Sequence, residues 1–103
     1  MKGRFSKIEE WQKKTFPNAT ANSKCHHLVE EVKELLKETE GEINRHTFGE
    51  ELADCFILLI GIASHAEFDY IDVMKAIDAK LKVNRKRKWG KPDENGVVKH
   101  VKA

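Results

Sequence analysis

Two short acidic patterns lie close together in the chain and constrain what it can fold into. They read EEVKE from residue 30 and EELAD from residue 50. Both fall in segments whose apolar residues recur at helical spacing. Residues three apart on a helix share a face, with Cβ atoms roughly 5–6 Å apart. Glu31 therefore pairs with Glu34, and Glu51 pairs with Asp54.

Two antiparallel helices with axes roughly 8–10 Å apart would bring these four carboxylates together. Like charges about 4 Å apart repel by roughly 4 kcal/mol at an effective dielectric of 20. A divalent cation would remove that repulsion, and oxygen ligands favour Mg²⁺ or Mn²⁺ over zinc. The simpler alternative is a solvated surface of good helix formers. However, Glu51 and Asp54 interrupt the most apolar stretch of the chain, where an unpartnered charge is costly.

The order and spacing of the two acidic patterns resemble the MazG-like family of all-α nucleoside triphosphate pyrophosphohydrolases. The resemblance extends from about Trp11 to the tail. It implies Mg²⁺-dependent cleavage of nucleoside triphosphates to monophosphate and pyrophosphate, as house-cleaning of the nucleotide pool, by a helical oligomer. Glu31, Glu34, Glu51 and Asp54 are the expected metal ligands.

Further candidate residues come from the helix faces. Lys80, Asn84 and Arg87 recur at i, i+4 and i+7, a stripe suited to phosphate oxygens or, alternatively, a solvated basic face. Glu31, Glu34 and Lys80 are the candidate catalytic residues, and Glu31 is a candidate proton acceptor. Trp11 is either a core or interface side chain or a surface that stacks on a nucleobase.

Four helical segments and no credible strands predict an all-α bundle in a single domain of 103 residues. The expected helices span 5–15, 22–39, 47–63 and 69–88, with Ser6 and Thr47 as N-caps. Residues 89–103 would form a hairpin, an arm or a mobile tail. The helix over 48–63 is apolar nearly all round, which predicts a homodimer or tetramer.

Composition narrows the location and the partners. Nineteen basic and 17 acidic residues give a net charge of +2, so neither nucleic acid nor a membrane is an expected partner. Cys25 and Cys55 form no disulfide framework, and no second Cys or His pair completes a zinc site with His26 and His27. The first residues lack the apolar run of a signal peptide, so a cytoplasmic protein is expected.

Two other classes of function remain open from the sequence. A non-enzymatic helical interaction module, or an antitoxin-like regulator, would keep the fold and bind nucleic acid through the basic tail with strong salt dependence. A hydrolase of another phosphate ester or anhydride would keep the metal and change the substrate. A di-iron carboxylate bundle is disfavoured because no histidine follows a glutamate by three residues.

Overall fold

The computed structural model describes residues 2–102, which contain no β-strand. Four α-helices follow one another in the chain: α1 (Lys2–Thr15), α2 (Ala21–Glu38), α3 (Arg45–His65) and α4 (Tyr70–Lys86). The prediction of an all-α fold is confirmed. No helix among these residues is long and apolar enough to cross a bilayer.

The chain divides into two compact units, one ending at Tyr70 and the other beginning at Ile71. The first unit contains α1, α2 and α3, and the second contains nearly all of α4 and the segment that follows it. The expectation of one single domain stays a prediction.

The start of α2 differs slightly from the prediction because Thr20 caps the helix. The Thr20 hydroxyl accepts a hydrogen bond from the backbone N–H of Ser23 at 3.0 Å. The Ser23 hydroxyl accepts one from the backbone N–H of Thr20 at 2.9 Å. This reciprocal capping box fixes the first turn at Ala21. The predicted cap of α1 at Ser6 is wrong, since that helix already begins at Lys2.

The start of α3 also corrects a prediction. Asn44, and not Thr47, is the N-cap, and its side-chain oxygen accepts from the backbone N–H groups of His46 at 3.0 Å and Thr47 at 3.2 Å. Asparagine is at least as good a cap as threonine, so the helix starts earlier. The Thr47 hydroxyl instead donates to the Glu38 carboxylate and ties the end of α2 to the start of α3.

α2 and α3 pack in antiparallel directions, because contacts that move forward along α3 move backward along α2. Thr47 meets Glu38 near the loop, and further along a Glu51 carboxylate oxygen lies within 4.8 Å of one from Glu31. This arrangement brings the two acidic patterns face to face.

α1 is attached to α3 by one buried side chain. The Gln12 amide Nε2 donates to the backbone carbonyl of Ile57 at 2.7 Å, and Gln12 is 2% exposed. Its amide lies directly over Gly61, where a Cβ atom would come within 2.7 Å of Gln12 Cδ. The space that glycine leaves open at position 61 is thus filled by a glutamine side chain.

In the second unit, the segment after α4 folds back on itself. The backbone N–H of Val101 donates to Lys88 O at 2.7 Å, and that of Gly90 donates to Lys99 O at 2.8 Å. Asp93 caps the intervening turn by accepting from the backbone N–H of Asn95 at 2.9 Å. These bonds surround an isolated antiparallel bridge and do not extend into a strand.

Candidate metal centre and adjoining cavity

Three of the four predicted carboxylates converge. One carboxylate oxygen from each of Glu31, Glu51 and Asp54 lies within 4.8 Å of the other two. Glu31 comes from α2, whereas Glu51 and Asp54 come from successive turns of α3. Glu31 and Glu51 are half-buried, and Asp54 is exposed. These three residues are called the carboxylate cluster below.

The electrostatics of the cluster favour an added positive charge. Burial raises the pKa of the Glu51 carboxyl, and the charge of Glu31, a hydrogen bond with Glu31 and the charges of Asp54 and Glu34 raise it further. The cluster thus holds a proton more tightly than isolated carboxylates do. A hard divalent cation takes oxygen ligands and would replace that proton, so the donor set fits Mg²⁺ or Mn²⁺.

Glu34 lies outside the cluster. Its carboxylate is 3.6 Å from the Lys37 ammonium group on the same helix, and its side chain is exposed. Its charge nevertheless reaches Glu51. The role of Glu34 as a ligand stays a prediction. Glu50 does not join the cluster, and its carboxylate lies 2.9 Å from His46 Nε2 in an exposed pair.

His27 contacts the cluster, although in the sequence it was a candidate only for zinc. Its Nε2 atom lies 3.2 Å from Glu31 Oε1. The two residues are one helical turn apart at i and i+4, and that spacing is the signal that could have identified the contact. In the described part of the chain, no Cys or His joins a group of possible metal ligands.

Cys55 directly follows Asp54 in the sequence but is not suited to act as a nucleophile. The residue is buried. Burial raises the pKa of its thiol, and the charges of Glu31, Asp54 and Glu51 raise it further. The thiolate is the reactive form, so this environment keeps the sulfur protonated and inert.

A cavity of about 460 Å³ adjoins the cluster within the first unit. Its lining combines carboxylates, a basic group, a histidine and apolar side chains. The lining residues that matter for function are Trp11, Phe16, Lys24, His27, Glu31 and Asp54. Its volume is in the range of small-molecule sites.

Two aromatic residues supply one wall of the cavity. Trp11 and Phe16 contact each other edge to face, with ring centroids 5.6 Å apart and ring planes at 90°. Both side chains are about half exposed, so their faces remain open to a ligand. Trp11 therefore lies beside the cavity and not in the core. Phe16 is a second lining aromatic from the same segment.

Lys24 lines the same cavity, and sequence reasoning did not single it out. The residue is only 6% exposed. Burial lowers the pKa of its ammonium group, and the nearby charge of Lys13 lowers it further. A lysine in the first turn of an amphipathic helix looks solvent-exposed in sequence, so only the packing reveals its burial.

The predicted basic stripe lies on α4, in the second unit. Lys80 is exposed, whereas Asn84 and Arg87 are half-buried. The Arg87 guanidinium donates to the Asn84 side-chain oxygen at 3.1 Å. Trp89 Nε1 donates to the backbone carbonyl of Asn84 at 3.2 Å. The roles of Lys80, Asn84 and Arg87 toward a substrate stay predictions.

Comparison with known proteins identifies relatives over nearly the whole chain. A dATP/dGTP diphosphohydrolase of Cyanophage S-2L is 31% identical over 96 residues, which are 93% of this chain and 83% of that protein. The solved structure of the Cyanophage S-2L MazG-like pyrophosphohydrolase, bound to dGDP and three catalytic Mn²⁺ ions per active site, superposes with a TM-score of 0.75. That superposition has 28% identity and covers 96% of this chain and 90% of the other.

The family comparison agrees with these relatives. Residues 4–103 match the dATP/dGTP pyrophosphohydrolase family. The MazG-like resemblance of the two acidic patterns is therefore confirmed by sequence and by structure. This chain belongs to the dATP/dGTP pyrophosphohydrolase family and is a MazG-like hydrolase that acts on phosphoanhydride bonds.

Proposed function

We propose that this protein hydrolyses dATP and dGTP to the deoxynucleoside monophosphate and pyrophosphate, with Mg²⁺ or Mn²⁺ as its cofactor. The observation that carries the proposal is the carboxylate cluster on the wall of a cavity that also presents Trp11 and Phe16. The names of the relatives, dATP/dGTP diphosphohydrolase and an Mn²⁺-containing pyrophosphohydrolase, support the same substrates and cofactor.

Glu31, Glu51 and Asp54 would hold the cation, with Glu34 as a further ligand from the next turn of α2. When bound, the ion supplies charge neutralisation for the phosphate oxygens and makes water more acidic. Because the three cluster residues come from two helices, the packing of α2 on α3 sets the shape of the site.

The remaining chemistry belongs to the side chains. Water attacks the α-phosphorus, a new P–O bond forms, and the bond from the α-phosphorus to the bridging oxygen breaks as pyrophosphate leaves. We assign Glu31 as the acceptor of the proton that the water loses, with Glu34 as the other candidate. His27 orients Glu31 through its 3.2 Å contact. Lys80, Asn84 and Arg87 would hold the departing pyrophosphate and offset its charge.

The aromatic wall would bind the nucleobase. Base faces stack on aromatic side chains with little dependence on which base is present. Trp11 and Phe16 lie at the α1 end of the cavity, and the polyphosphate would extend from there toward the cluster. We also propose that the protein acts in the cytoplasm as a homodimer or tetramer.

A nucleotide panel tests the proposed reaction. Purified protein is incubated with each of the four deoxynucleoside triphosphates, with Mg²⁺, with Mn²⁺ or with EDTA, and the products are separated. We expect monophosphate and pyrophosphate in equal amounts from dATP and dGTP, and no turnover in EDTA. Release of inorganic phosphate instead would assign a different hydrolysis, and no turnover with either metal would contradict the enzymatic assignment.

Carboxylate variants then test the assigned site. Asp54→Asn and Glu34→Gln should weaken cation binding and reduce turnover. The larger loss is expected in Asp54→Asn, because Asp54 belongs to the cluster and Glu34 does not. The matched control is Glu50→Gln, since Glu50 pairs with His46 in solvent and should retain activity. Wild-type turnover in Asp54→Asn would remove the cluster from the mechanism.

A further inference from the structure

In the described part of the chain, Lys24 is a buried cation without a protein partner. It is 6% exposed, and its ammonium group has no ion pair or hydrogen bond among residues 2–102. In that part of the chain, every side-chain N or O atom that is completely sealed from solvent has a hydrogen-bond partner. The ammonium group has none, so it is not completely sealed. Since Lys24 lines the cavity, the cavity is where its three N–H donors can find acceptors.

The charges around Lys24 do not satisfy it. Lys13 and His65 are close enough to interact electrostatically with Lys24, and both are basic. Burial lowers the pKa of His65, and the charges of Lys24 and Lys13 lower it further. An ammonium group that has lost most of its contact with water beside other basic groups is unfavourable unless a ligand supplies an acceptor.

Lys24 lies at the far end of the cavity from the carboxylate cluster. It precedes Glu31 by seven residues on α2, which is about 10.5 Å along the helix axis at 1.5 Å per residue. Side chains on a helix lean toward its N-terminus, so Lys24 leans further away from Glu31. This separation is closer to the length of a nucleoside than to that of one hydrogen bond. The charge of Lys13, two residues after Trp11 on α1, reaches Lys24, so Lys24 lies near the α1 wall of the cavity.

We propose that Lys24 reads the nucleobase and gives the site a preference for guanine over adenine. Guanine presents two acceptors, O6 and N7, on one edge, and lysine donates to both. Adenine presents N7 beside an amino group. The amino group is itself a donor, so it cannot accept a hydrogen bond from lysine. The inference rests on the proposed function for the orientation of the nucleotide, with phosphates at the cluster and the base at the aromatic wall.

The test measures binding without hydrolysis. Calorimetric titrations with dGMP, dAMP and 7-deaza-dGMP are carried out in EDTA, so neither metal nor turnover is involved. We expect wild-type protein to bind dGMP about tenfold more tightly than dAMP, within the range typical of one paired base contact. 7-deaza-dGMP, which lacks N7, should bind more weakly than dGMP. This comparison uses the wild-type protein alone. Equal affinity for dGMP and dAMP would overturn the proposal.

Lys24→Met removes the charge and keeps the length of the side chain. We expect it to lose most of the affinity for dGMP and little of that for dAMP, so that the preference disappears. The control is Lys33→Met, an exposed lysine of the same helix, which should keep the preference. Equal losses for both nucleotides would assign Lys24 to phosphate and overturn base reading, as would unchanged dGMP binding.

Thermal unfolding of Lys24→Met distinguishes a ligand-directed residue from a structural one. The lowered pKa means that the charged lysine opposes folding, so its neutral replacement should raise the melting temperature while it abolishes the preference. A lower melting temperature together with unchanged base preference would show a structural role and refute the assignment. If the protein retained the dGMP preference but hydrolysed no triphosphate, the proposed function would fail and the base-reading site would stand.

Discussion

At the scale of single residues, the carboxylates of the acidic patterns are alike in chemistry and differ in their surroundings. Glu31 and Glu34 stand one turn apart on α2, yet only Glu31 is half-buried and joins the cluster. Glu34 pairs with Lys37 in solvent, and such exposed pairs contribute little to stability. The position of each carboxylate relative to α3 decides its role.

His27 carries the first prediction. Groups that hydrogen-bond to a metal-binding side chain fix its orientation, and their loss typically weakens metal binding about 10- to 100-fold. Because His27 Nε2 lies 3.2 Å from Glu31, His27→Ala should reduce Mn²⁺ affinity at least tenfold by this principle, measured by electron paramagnetic resonance of free Mn²⁺. His26→Ala is the control, since His26 is exposed on the next position of the helix. Equal Mn²⁺ affinity in both variants would show that the contact does not orient Glu31.

At the scale of helices, α1 is held to α3 where Gln12 crosses Gly61. A methyl group at residue 61 would lie 2.7 Å from Gln12 Cδ and 2.8 Å from Gln12 Nε2. Gln12 has no room to move because it is buried and bonded to Ile57 O. The cavity wall at Trp11 and Phe16 depends on this attachment, since both residues adjoin Gln12 on α1 or just beyond it.

Gly61→Ala should therefore destabilise the protein by about 1–3 kcal/mol, the usual range for overpacking, in urea unfolding. Gly49→Ala is a matched control within α3, because nothing lies within 4 Å of its added Cβ. That control should be neutral or stabilising by up to about 1 kcal/mol, as glycine is a poor helix former. A Gly61→Ala variant as stable as Gly49→Ala would mean that Gln12 can leave its site freely.

The basic stripe on α4 carries a prediction at the same scale. If Lys80 and Asn84 hold the departing pyrophosphate, Lys80→Ala and Asn84→Ala should each reduce triphosphate turnover about tenfold or more, a change of roughly 1.4 kcal/mol in the barrier. Cation affinity without nucleotide should stay the same. Lys82→Ala is the control, because helical residues two positions apart point to nearly opposite sides. Normal steady-state kinetics in both stripe variants would leave the stripe as a solvated face.

At the scale of the whole molecule, the first unit carries large apolar side chains that are exposed on α2 and α3. Val29, Val32 and Leu36 recur at i, i+3 and i+7 along α2, and Leu36 is 61% exposed. On α3, Phe56 and Leu59 are also exposed. Few apolar side chains are fully buried, so a second copy of the chain is the expected cover.

We expect a stable homodimer or tetramer by light scattering at micromolar concentration. Leu36→Glu and Phe56→Glu should lower the mass toward that of one chain, because a buried charge without a partner is strongly unfavourable. Circular dichroism should show that both variants keep their helices. A monomeric wild-type mass would refute the predicted assembly.

Several features follow from the sequence alone. The helical spacing of apolar residues determined four helices, since a period of 3.6 residues leaves little choice of element. The two acidic patterns indicated the family and four candidate ligands, because residues three apart on a helix share a face. Three of the four converge. The sequence left Trp11 open between a core or interface side chain and a surface that stacks on a nucleobase, and it lies at the cavity.

Tertiary structure decided what depends on distances between helices. Spacing within α2 treats Glu31 and Glu34 alike, and only the packing against α3 separates them. Asn44 replaced Thr47 as a cap because several adjacent residues could serve and local geometry selected one. Lys24 is typical of a solvated helix in sequence, but the folded chain leaves it only 6% exposed, on the wall of a cavity that α1 and α3 also line. Burial is a property of neighbours brought together by folding, and for that reason a linear pattern could not reveal it.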